Sequence, residues 1–199
     1  MTIKIQLTLT EEILGTSSNN PDIQREFIAS KAPDAKSTEE EIAAVGTDAV
    51  VEKSMTVFPR EGGKPFLWDY QVKGFFKDTC SALSRVPGTK SNKLKAFRKV
   101  IDGIVFVKPR KIFYVLPPGG TIGNCQRPLR AETAQGPRIA LANSETLPIG
   151  TTAEFDVVLL DDGHESLVRE WLDYGALRGI GQWRSSGKGR FSWKWIETD

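Results

Sequence analysis

ESLVREWLDYGALRGIGQWRSSGKGRFSWKWI, residues 165 to 196, predicts a helix, a glycine-rich loop and a closing strand, in that order. Apolar residues recur at helical spacing in its first part and lie on one face: Leu167, Val168, Trp171 and Leu172. Gly175 is the predicted end of this helix. RFSWKWI alternates polar and apolar residues, as a half-buried strand does. The loop from Gly175 to Arg190 therefore lies between two packed elements.

The rest of the sequence supplies further strands and a second helix. IKIQLTL alternates as a strand, and the apolar stripe of DYQVKGFFKDTCSAL predicts a helix over residues 69 to 83, capped by Asp69. IDGIVFVKPRKIFYVLP predicts a bent pair of strands, and ALANSETLPIGTTAEFDVVLL predicts two strands joined by a turn. Residues 119 to 136 are expected to be mostly loop. Two separated helices among runs of strands favour an α+β fold, specifically a modified ferredoxin-like (RRM-like) antiparallel sheet.

Gly74 lies inside the predicted helix at residues 69 to 83. Glycine in a helix interior costs about 1 kcal/mol relative to alanine. We expect either that another stretch of backbone approaches the helix closely at Gly74 or that the helix tolerates an ordinary glycine.

The loop from Gly175 to Arg190 combines the residue types that hold a nucleic-acid backbone. Five of its residues are glycine, which lets backbone N–H groups approach phosphate oxygens closely. Arginine and lysine supply charged donors, serine supplies neutral ones, and Trp183 and Phe191 offer faces for base stacking. The predicted binding residues are Arg178, Gln182, Trp183, Arg184, Ser185, Ser186, Lys188 and Arg190. The alternative is a structural turn. A structural turn does not explain why the loop contains four basic residues and no acidic one.

SSGKGR contains the Gly-Lys pair of a P-loop, but its spacing excludes that site. The P-loop pattern requires Ser or Thr after Lys188, where this chain has Gly189, and the loop follows a helix rather than a strand. The sequence therefore does not support ATP hydrolysis.

The net charge of +2 conceals an uneven distribution. Residues 1 to 56 hold ten acids and five bases, whereas residues 178 to 194 hold five bases and no acid. Residues 85 to 111 hold a single acid, Asp102, and nine bases: Arg85, Lys90, Lys93, Lys95, Arg98, Lys99, Lys108, Arg110 and Lys111. Such stretches in a nearly neutral chain indicate a polyanionic partner on one face.

The sequence gives no sign of a membrane or secreted protein. No apolar run approaches the roughly 20 residues that span a bilayer, and the N-terminal residues lack the pattern of a signal peptide. We therefore predict a cytoplasmic protein.

Residues suited to catalysis or metal binding are sparse. Cys80 and Cys125 belong to no metal-binding pattern and are interpreted as packing thiols. His164, the only histidine, is interpreted as a helix-start residue. Nothing local distinguishes Asp22 or Asp34 from solvated loop acids. We predict no metal and no cofactor, and a non-enzymatic protein is favoured.

Three segments resemble, in order, the RAMP superfamily, the RNA-binding proteins of class 1 CRISPR effector complexes. GALRGIGQWRSSGKGRF resembles the glycine-rich loop of that superfamily. DYQVKGFFKDTCSAL resembles the helix of its small backbone subunits that carries a Lys-Gly pair, here Lys73-Gly74, although the usual Pro-Gly-Ser-Ser lead is missing. RPLRAETAQGPRIALANSETLPIGTTAEFDVVLL resembles their Arg-rich loop followed by two strands.

The resemblance implies a protein that binds single-stranded RNA, often in a repeating oligomer. It implies that the arginine and lysine side chains of the glycine-rich loop lie along RNA phosphates, together with Lys73 and Lys77. The basic stretch at residues 85 to 111 would form a thumb that separates groups of bases. Its candidate RNA-binding residues are Lys90, Lys93, Lys95, Arg98 and Lys99.

The sequence as a whole predicts one RAMP-like domain over residues 1 to 199, with a polar insertion or arm at 16 to 48 and a thumb-like insertion at 85 to 111. The predicted function is non-catalytic binding of single-stranded RNA, as a subunit of a CRISPR-type ribonucleoprotein or a virus-carried relative. The predicted partners are RNA, CRISPR effector subunits and further copies of the chain along the RNA. The first alternative is a RAMP mimic that inhibits a CRISPR effector complex (an anti-CRISPR protein), and the second is an RNA endonuclease.

Overall fold

A computed structural model describes residues 1–18, 55–133 and 136–196, with side chains except at 129–141. Most of the predicted arm at 16–48, including Asp22 and Asp34, lies outside the described residues.

The described residues form four helices: α1 Asp69–Leu83, α2 Lys90–Lys93, α3 Phe97–Ile104 and α4 Glu165–Arg178. The bounds of α1 match the prediction. Trp68 rather than Asp69 occupies the N-cap position, and its backbone N–H donates to Oε1 of Gln71 at 2.8 Å. None of these helices is long and apolar enough to cross a membrane.

The strands of the described residues are β1 Thr2–Leu9, β2 Ile13–Leu14, β3 Ser17–Ser18, β4 Thr56–Val57, β5 Arg60–Glu61, β6 Lys64–Trp68, β7 Val105–Lys108, β8 Lys111–Val115, β9 Gly123–Thr133, β10 Gly136–Leu147, β11 Thr152–Leu159 and β12 Phe191–Ile196.

The larger sheet has the strand order β12-β1-β11-β8-β6-β5, and β7 also pairs with β11. All of its pairs are antiparallel. β7 pairs with the C-terminal half of β11 and β8 with the first two residues of β11, which confirms the predicted bent pair of strands. The first and last strands of the chain are therefore neighbours in the sheet.

Alternation along the central strands creates the core beside this sheet. In β1 the buried residues are Ile3, Ile5, Leu7 and Leu9, and in β11 they are Ala153, Phe155, Val157 and Leu159. The predicted apolar faces of the two long helices are also buried, and the rings of Phe76 on α1 and Trp171 on α4 lie 5.4 Å apart. The predicted α+β class with an antiparallel sheet is thus confirmed.

The chain divides into two compact units. The first comprises Met1–Ile13, Pro59–Thr121 and Leu147–Asp199 and contains the larger sheet and all four helices. The second comprises Leu14–Phe58 and Ile122–Thr146, where β9 and β10 form a long antiparallel hairpin and β4 runs parallel to β10. All predicted RNA-binding residues belong to the first unit, and the interpretation of the chain as one domain stays a prediction.

Two further local expectations are wrong, at residues 123–133 and at the end of α4, and one of the two alternatives for Gly74 is excluded. Residues 123–133 form strand β9 rather than loop, because every one of them pairs with a residue of β10, from Gly136 to Thr146. No heavy atom of the surrounding described structure lies within 4 Å of a Cβ added at Gly74, so no backbone approaches the helix there. α4 continues through Gly175 to Arg178, because the missing side chain at Gly175 makes room for the ring of Phe191.

Two helical glycines provide a matched test of this packing. Gly175→Ala places a Cβ on the Phe191 ring and should lower the free energy of unfolding by about 1–3 kcal/mol. Gly74→Ala places a Cβ in open space and should raise it by about 0.5–1 kcal/mol. Urea unfolding measures both, and shifts of the same sign would contradict the packing of Phe191 against Gly175.

Candidate nucleic-acid interface

The glycine-rich loop is closed at its base by direct backbone contact between its two ends. Gly179 ends α4 with φ 73°, and a Cβ there would lie 2.5 Å from the carbonyl oxygen of Lys188. The N–H of Ile180 donates to the carbonyl oxygen of Gly189 at 2.9 Å, and the N–H of Gly189 donates to the carbonyl oxygen of Glu12 at 2.8 Å. Only glycine fits such close approach at positive φ. The loop is therefore an ordered structure fastened beside the end of β1.

The distal part of the loop surrounds an open recess of about 400 Å³. Its lining brings together five of the predicted binding residues with one glycine: Arg178, Gly181, Gln182, Trp183, Arg184 and Ser185. Trp183 adopts the left-handed conformation with φ 53° and is 37% exposed. A bulky residue at positive φ is uncommon and tends to occur at functional sites. The expectation that Phe191 also offers a stacking face is wrong, because its ring is buried against Gly175 and Phe75.

Asp78 of α1 holds both arginines of this recess. Nε of Arg178 lies 3.2 Å from Oδ2 of Asp78, and Nη1 of Arg184 lies 2.7 Å from the same oxygen. One carboxylate thus balances one of two guanidinium charges, and each guanidinium has further N–H donors. The surface keeps a net positive charge at this point.

The other two bases of the loop have structural partners. Nζ of Lys188 forms an ion pair with Oε2 of Glu12 at 2.8 Å. Nε of Arg190 donates to the carbonyl oxygen of Leu177 at 3.0 Å, which satisfies a carbonyl in the last turn of α4. Ser186 is exposed in the short helical turn Arg184–Ser186. Lys188, Arg190 and Ser186 do not line the recess.

Lys73 and Lys77 of α1 meet the end of α3 at Asp102. Nζ of Lys77 lies 2.5 Å from Oδ1 of Asp102, and Nζ of Lys73 donates to the backbone carbonyl oxygen of Asp102 at 3.1 Å. The hydrogen bond from Lys77 lowers the pKa of the Asp102 carboxyl. Here too, two cations share one acidic residue.

Both groups of cations lie along α1: Lys73 and Lys77 belong to the helix itself, and Arg178 and Arg184 are attached to it through Asp78. We call their combined surface the α1 cationic surface: Lys73, Lys77, Asp78, Asp102, Arg178 and Arg184. It contains four bases and two acids, so it carries a formal charge of +2.

The predicted thumb at residues 85–111 contains α2, α3, β7 and the first residue of β8. Its last part belongs to the larger sheet through β7, and Ile101 of α3 is buried. The side chains of its five predicted RNA-binding residues are exposed, and no carboxylate in the described residues forms an ion pair with any of them: Lys90, Lys93, Lys95, Arg98 and Lys99. Unlike Arg178, Arg184 and Lys188 of the loop, these cations have no ion-pair partner in the described part of the chain, although the charge of Lys90 helps to lower the pKa of Glu170.

Glu170 of α4 anchors the beginning of α2. Its carboxylate accepts the N–H groups of Lys90 at 2.7 Å and of Ser91 at 2.9 Å, together with the Ser91 hydroxyl at 2.5 Å. Ser91 is fully buried, and its Oγ accepts from Nε1 of Trp171 at 3.0 Å. This network fixes the helix that carries Lys90 and Lys93.

The described residues offer no arrangement typical of metal-dependent catalysis. They contain no cluster of three or more His, Cys, Asp or Glu side chains able to hold a metal ion. His164 lies directly before α4, with Nδ1 3.1 Å from Oδ2 of Asp161. Cys80 and Cys125 are unpaired thiols, and burial raises the pKa of Cys80.

Comparison with known proteins supports the fold. No protein-family model and no curated protein matches the sequence. A chain of the type III-B Cmr-beta structure bound to cognate target RNA superposes with a TM-score of 0.53 and 11% identity, covering 98% of this chain and 60% of that one. Cmr6 from Pyrococcus furiosus superposes with a TM-score of 0.51 and 11% identity, covering 96% and 97%. The chain has the fold of CRISPR complex subunits.

This CRISPR-subunit fold confirms the resemblance drawn from the sequence, and the RNA-binding roles of individual residues stay predictions. The structure unites Arg178, Arg184 and Trp183 at the recess, with Lys73 and Lys77 on neighbouring α1. Sequence reasoning missed the acids that organise these cations, Asp78, Asp102 and Glu170. Asp78 carries no local signal, because its partners lie 100 and 106 residues away.

Glu170 should make the attachment of α2 sensitive to acid. Burial raises the pKa of Glu170, but hydrogen bonds from Ser91 and from the Lys90 backbone outweigh it, so the pKa lies below its ordinary value of 4.5. Because the folded-state pKa is depressed, the stabilisation is complete above pH 4.5 and is lost as the pH falls through the lower folded-state value. Glu170→Gln should lower the free energy of unfolding by about 1 kcal/mol at neutral pH.

Thermal unfolding of the parent and of Glu170→Gln, between neutral pH and about pH 3, measures this effect. The difference between the two proteins should shrink as the pH falls. Glu165→Gln, which breaks an exposed pair with Arg169 on the same helix, is the matched control and should have little effect. A difference that grows on acidification would contradict the role of the ionised Glu170 carboxylate.

Proposed function

We propose that this CRISPR-subunit fold binds single-stranded RNA without cleaving it, mainly through the phosphates. The observation that carries the proposal is the sharing of one carboxylate, Asp78, by Arg178 and Arg184 at the rim of the loop recess. Such an arrangement holds two guanidinium groups in place while leaving one positive charge and several N–H donors for an anion. Phosphate oxygens match these donors in charge and geometry.

The α1 cationic surface suits a chain of phosphates better than a single anion. Its charges extend from the loop arginines across Asp78 to Lys77 and Lys73. The exposed bases of α3, whose Asp102 contacts Lys73 and Lys77 of α1, would lengthen the track, and so would those of α2. Trp183 at the recess would add a stacking face that every base can use, which favours a single strand over a duplex.

The proposal extends to architecture and partners. Two features support a modified ferredoxin-like fold: the strand order β12-β1-β11-β7 in the sheet, and the positions of the two long helices in the chain. Along the sequence, α1 comes between β1 and β7, and α4 comes between β11 and β12. The Cmr-beta structure with this fold was bound to target RNA. We propose that this chain likewise works beside CRISPR complex subunits, with further copies of itself along the RNA and residues 85–111 as a thumb.

The ion pairs of the loop favour one second candidate, a mimic that inhibits a CRISPR effector complex. Asp78 and Glu12 already neutralise part of the loop charge, as they would in a protein that keeps the fold but no longer holds RNA. Such a protein would co-purify with effector subunits and carry no nucleic acid, which the ratio of absorbance at 260 and 280 nm reveals.

Arg184→Ala tests the proposed phosphate contacts. Its affinity for a single-stranded oligoribonucleotide should fall about tenfold at low salt, and the slope of log affinity against log salt should become shallower by about 0.7, the value for one lost phosphate contact. Fluorescence anisotropy over a salt series measures both quantities. Arg169→Ala is the matched control. It removes the same charge from α4 at a residue that pairs with Glu165 and lies over Trp195, outside the α1 cationic surface. Equal losses in the two variants, or no binding by the parent, would contradict the proposal.

Asp78→Asn tests whether the carboxylate competes with phosphate for the two arginines. The variant should bind the oligoribonucleotide a few-fold more tightly, because both guanidinium groups lose their internal anion. Because these pairs are partly exposed, the free energy of unfolding should fall by only about 1 kcal/mol or less. Asp173→Asn, which makes the same charge change beside Trp193, is the control. Weaker binding by Asp78→Asn would show that the carboxylate orients the arginines for RNA instead.

A further inference from the structure

An aromatic cluster lies at the N-terminal end of α1, outside the recess and the α1 cationic surface. The rings of Trp68 and Tyr70 are nearly parallel, with an interplanar angle of 15° and centroids 6.1 Å apart. Phe66 packs edge-on against Trp68 with ring centroids 4.9 Å apart. The guanidinium of Arg110 lies 5.4 Å from the centroid of Trp68 and 5.4 Å from that of Tyr70.

The distances show where the guanidinium of Arg110 lies. Its two distances of 5.4 Å and the ring separation of 6.1 Å form a nearly equilateral triangle. A group on the far face of Tyr70 would be farther from Trp68 than Tyr70 itself is. Arg110 therefore contacts both rings from the Trp68 side of Tyr70 rather than from the outer face of Tyr70, and Oδ1 of Asp69 holds it at 2.7 Å. In the described part of the chain, the face of Tyr70 turned away from Trp68 is left to solvent, which agrees with the 53% exposure of Tyr70.

Tyr70 lies in line with the cations of α1. Residues three, four and seven apart share one side of a helix, so Tyr70, Lys73 and Lys77 form a single stripe. Gly74 belongs to the same stripe and is exposed. A Cβ at Gly74 would meet no heavy atom of the described residues within 4 Å, so these residues leave the surface between Tyr70 and Lys77 unobstructed. An extended ligand has a continuous path from the ring to the lysines.

We propose that the outer face of Tyr70 is a stacking site for one base of single-stranded RNA, which would become the third member of the Trp68–Tyr70 stack. The inference rests on the proposed RNA binding and adds a base contact to its phosphate contacts. Trp68 and Arg110 are positioning residues: Trp68 supports the inner face of the ring, and Arg110 fixes the pair from the side while adding positive charge. A base has the flat π-face that such a stack extends, and stacking accepts any sequence.

A nucleobase fits this place better than a protein side chain. A protein hot spot of this composition is commonly a pocket closed off from water. Here Tyr70 and the Arg110 side chain, which is 65% exposed, stand open on the surface. Lys73 and Lys77 follow at the spacing of a helical stripe and provide the charge that a nucleic-acid backbone requires.

The test compares two oligomers of about a dozen nucleotides, one of riboadenylate and one with the same ribose-phosphate backbone but abasic throughout. Tyr70→Leu keeps an apolar side chain and removes the ring, whereas Tyr70→Phe keeps the ring. Tyr70→Leu should bind riboadenylate at least about fivefold more weakly than the parent, and Tyr70→Phe should bind like the parent. The abasic oligomer should bind all three proteins equally. Because Tyr70 is exposed, all three should unfold at similar temperatures.

The outcomes separate this inference from the proposed function. A parent that binds riboadenylate, with Arg184→Ala weaker and Tyr70→Leu unchanged, would overturn the stacking site and leave phosphate binding intact. A parent that binds neither oligomer would overturn both. An equal loss of abasic and riboadenylate binding in Tyr70→Leu would show that the ring acts on the backbone or on a neighbouring element rather than on a base.

Discussion

The contact of Phe191 with Gly175 determines where the rest of the candidate interface lies. The ring of Phe191 occupies the space of the absent side chain and also meets Phe75 of α1, with centroids 5.4 Å apart. One buried side chain thus ties the last strand to both long helices. Because α4 and β12 are held together directly at the two ends of the loop, the loop must project beside α1, where Asp78 receives its arginines.

The acids of the interface explain how so many cations lie close together in a stable fold. Like charges repel, and a helix bearing Lys73 and Lys77 beside a loop bearing Arg178 and Arg184 would be strained without counter-charges. Asp102 and Asp78 each reduce that repulsion while leaving part of the charge unbalanced. Under the proposed function, polyanion binding on this surface would be an exchange of partners, in which phosphate replaces internal carboxylate and solvent ions.

The sequence was informative wherever neighbouring residues decide the structure. The apolar stripe of α1 predicted the bounds of that helix. The five glycines of the loop at 175–190 predicted a backbone that other groups can approach closely. Contacts between distant segments escaped prediction. The end of α4 was misplaced because Gly175 usually indicates a helix end, whereas here it accommodates Phe191 from the next strand. Asp78 looked like an ordinary helical acid, since only folding brings it to arginines about a hundred residues away.

The backbone closure at the base of the glycine-rich loop has a consequence for how this protein can diverge. Gly179 and Gly189 hold the loop ends together through contacts that do not involve the residues beyond them. Changes in length or composition between Gly181 and Gly187 are therefore insulated from the sheet. Substitutions in this segment can therefore change the ligand that the loop binds while the sheet and helices keep their structure, provided that Gly179 and Gly189 are retained.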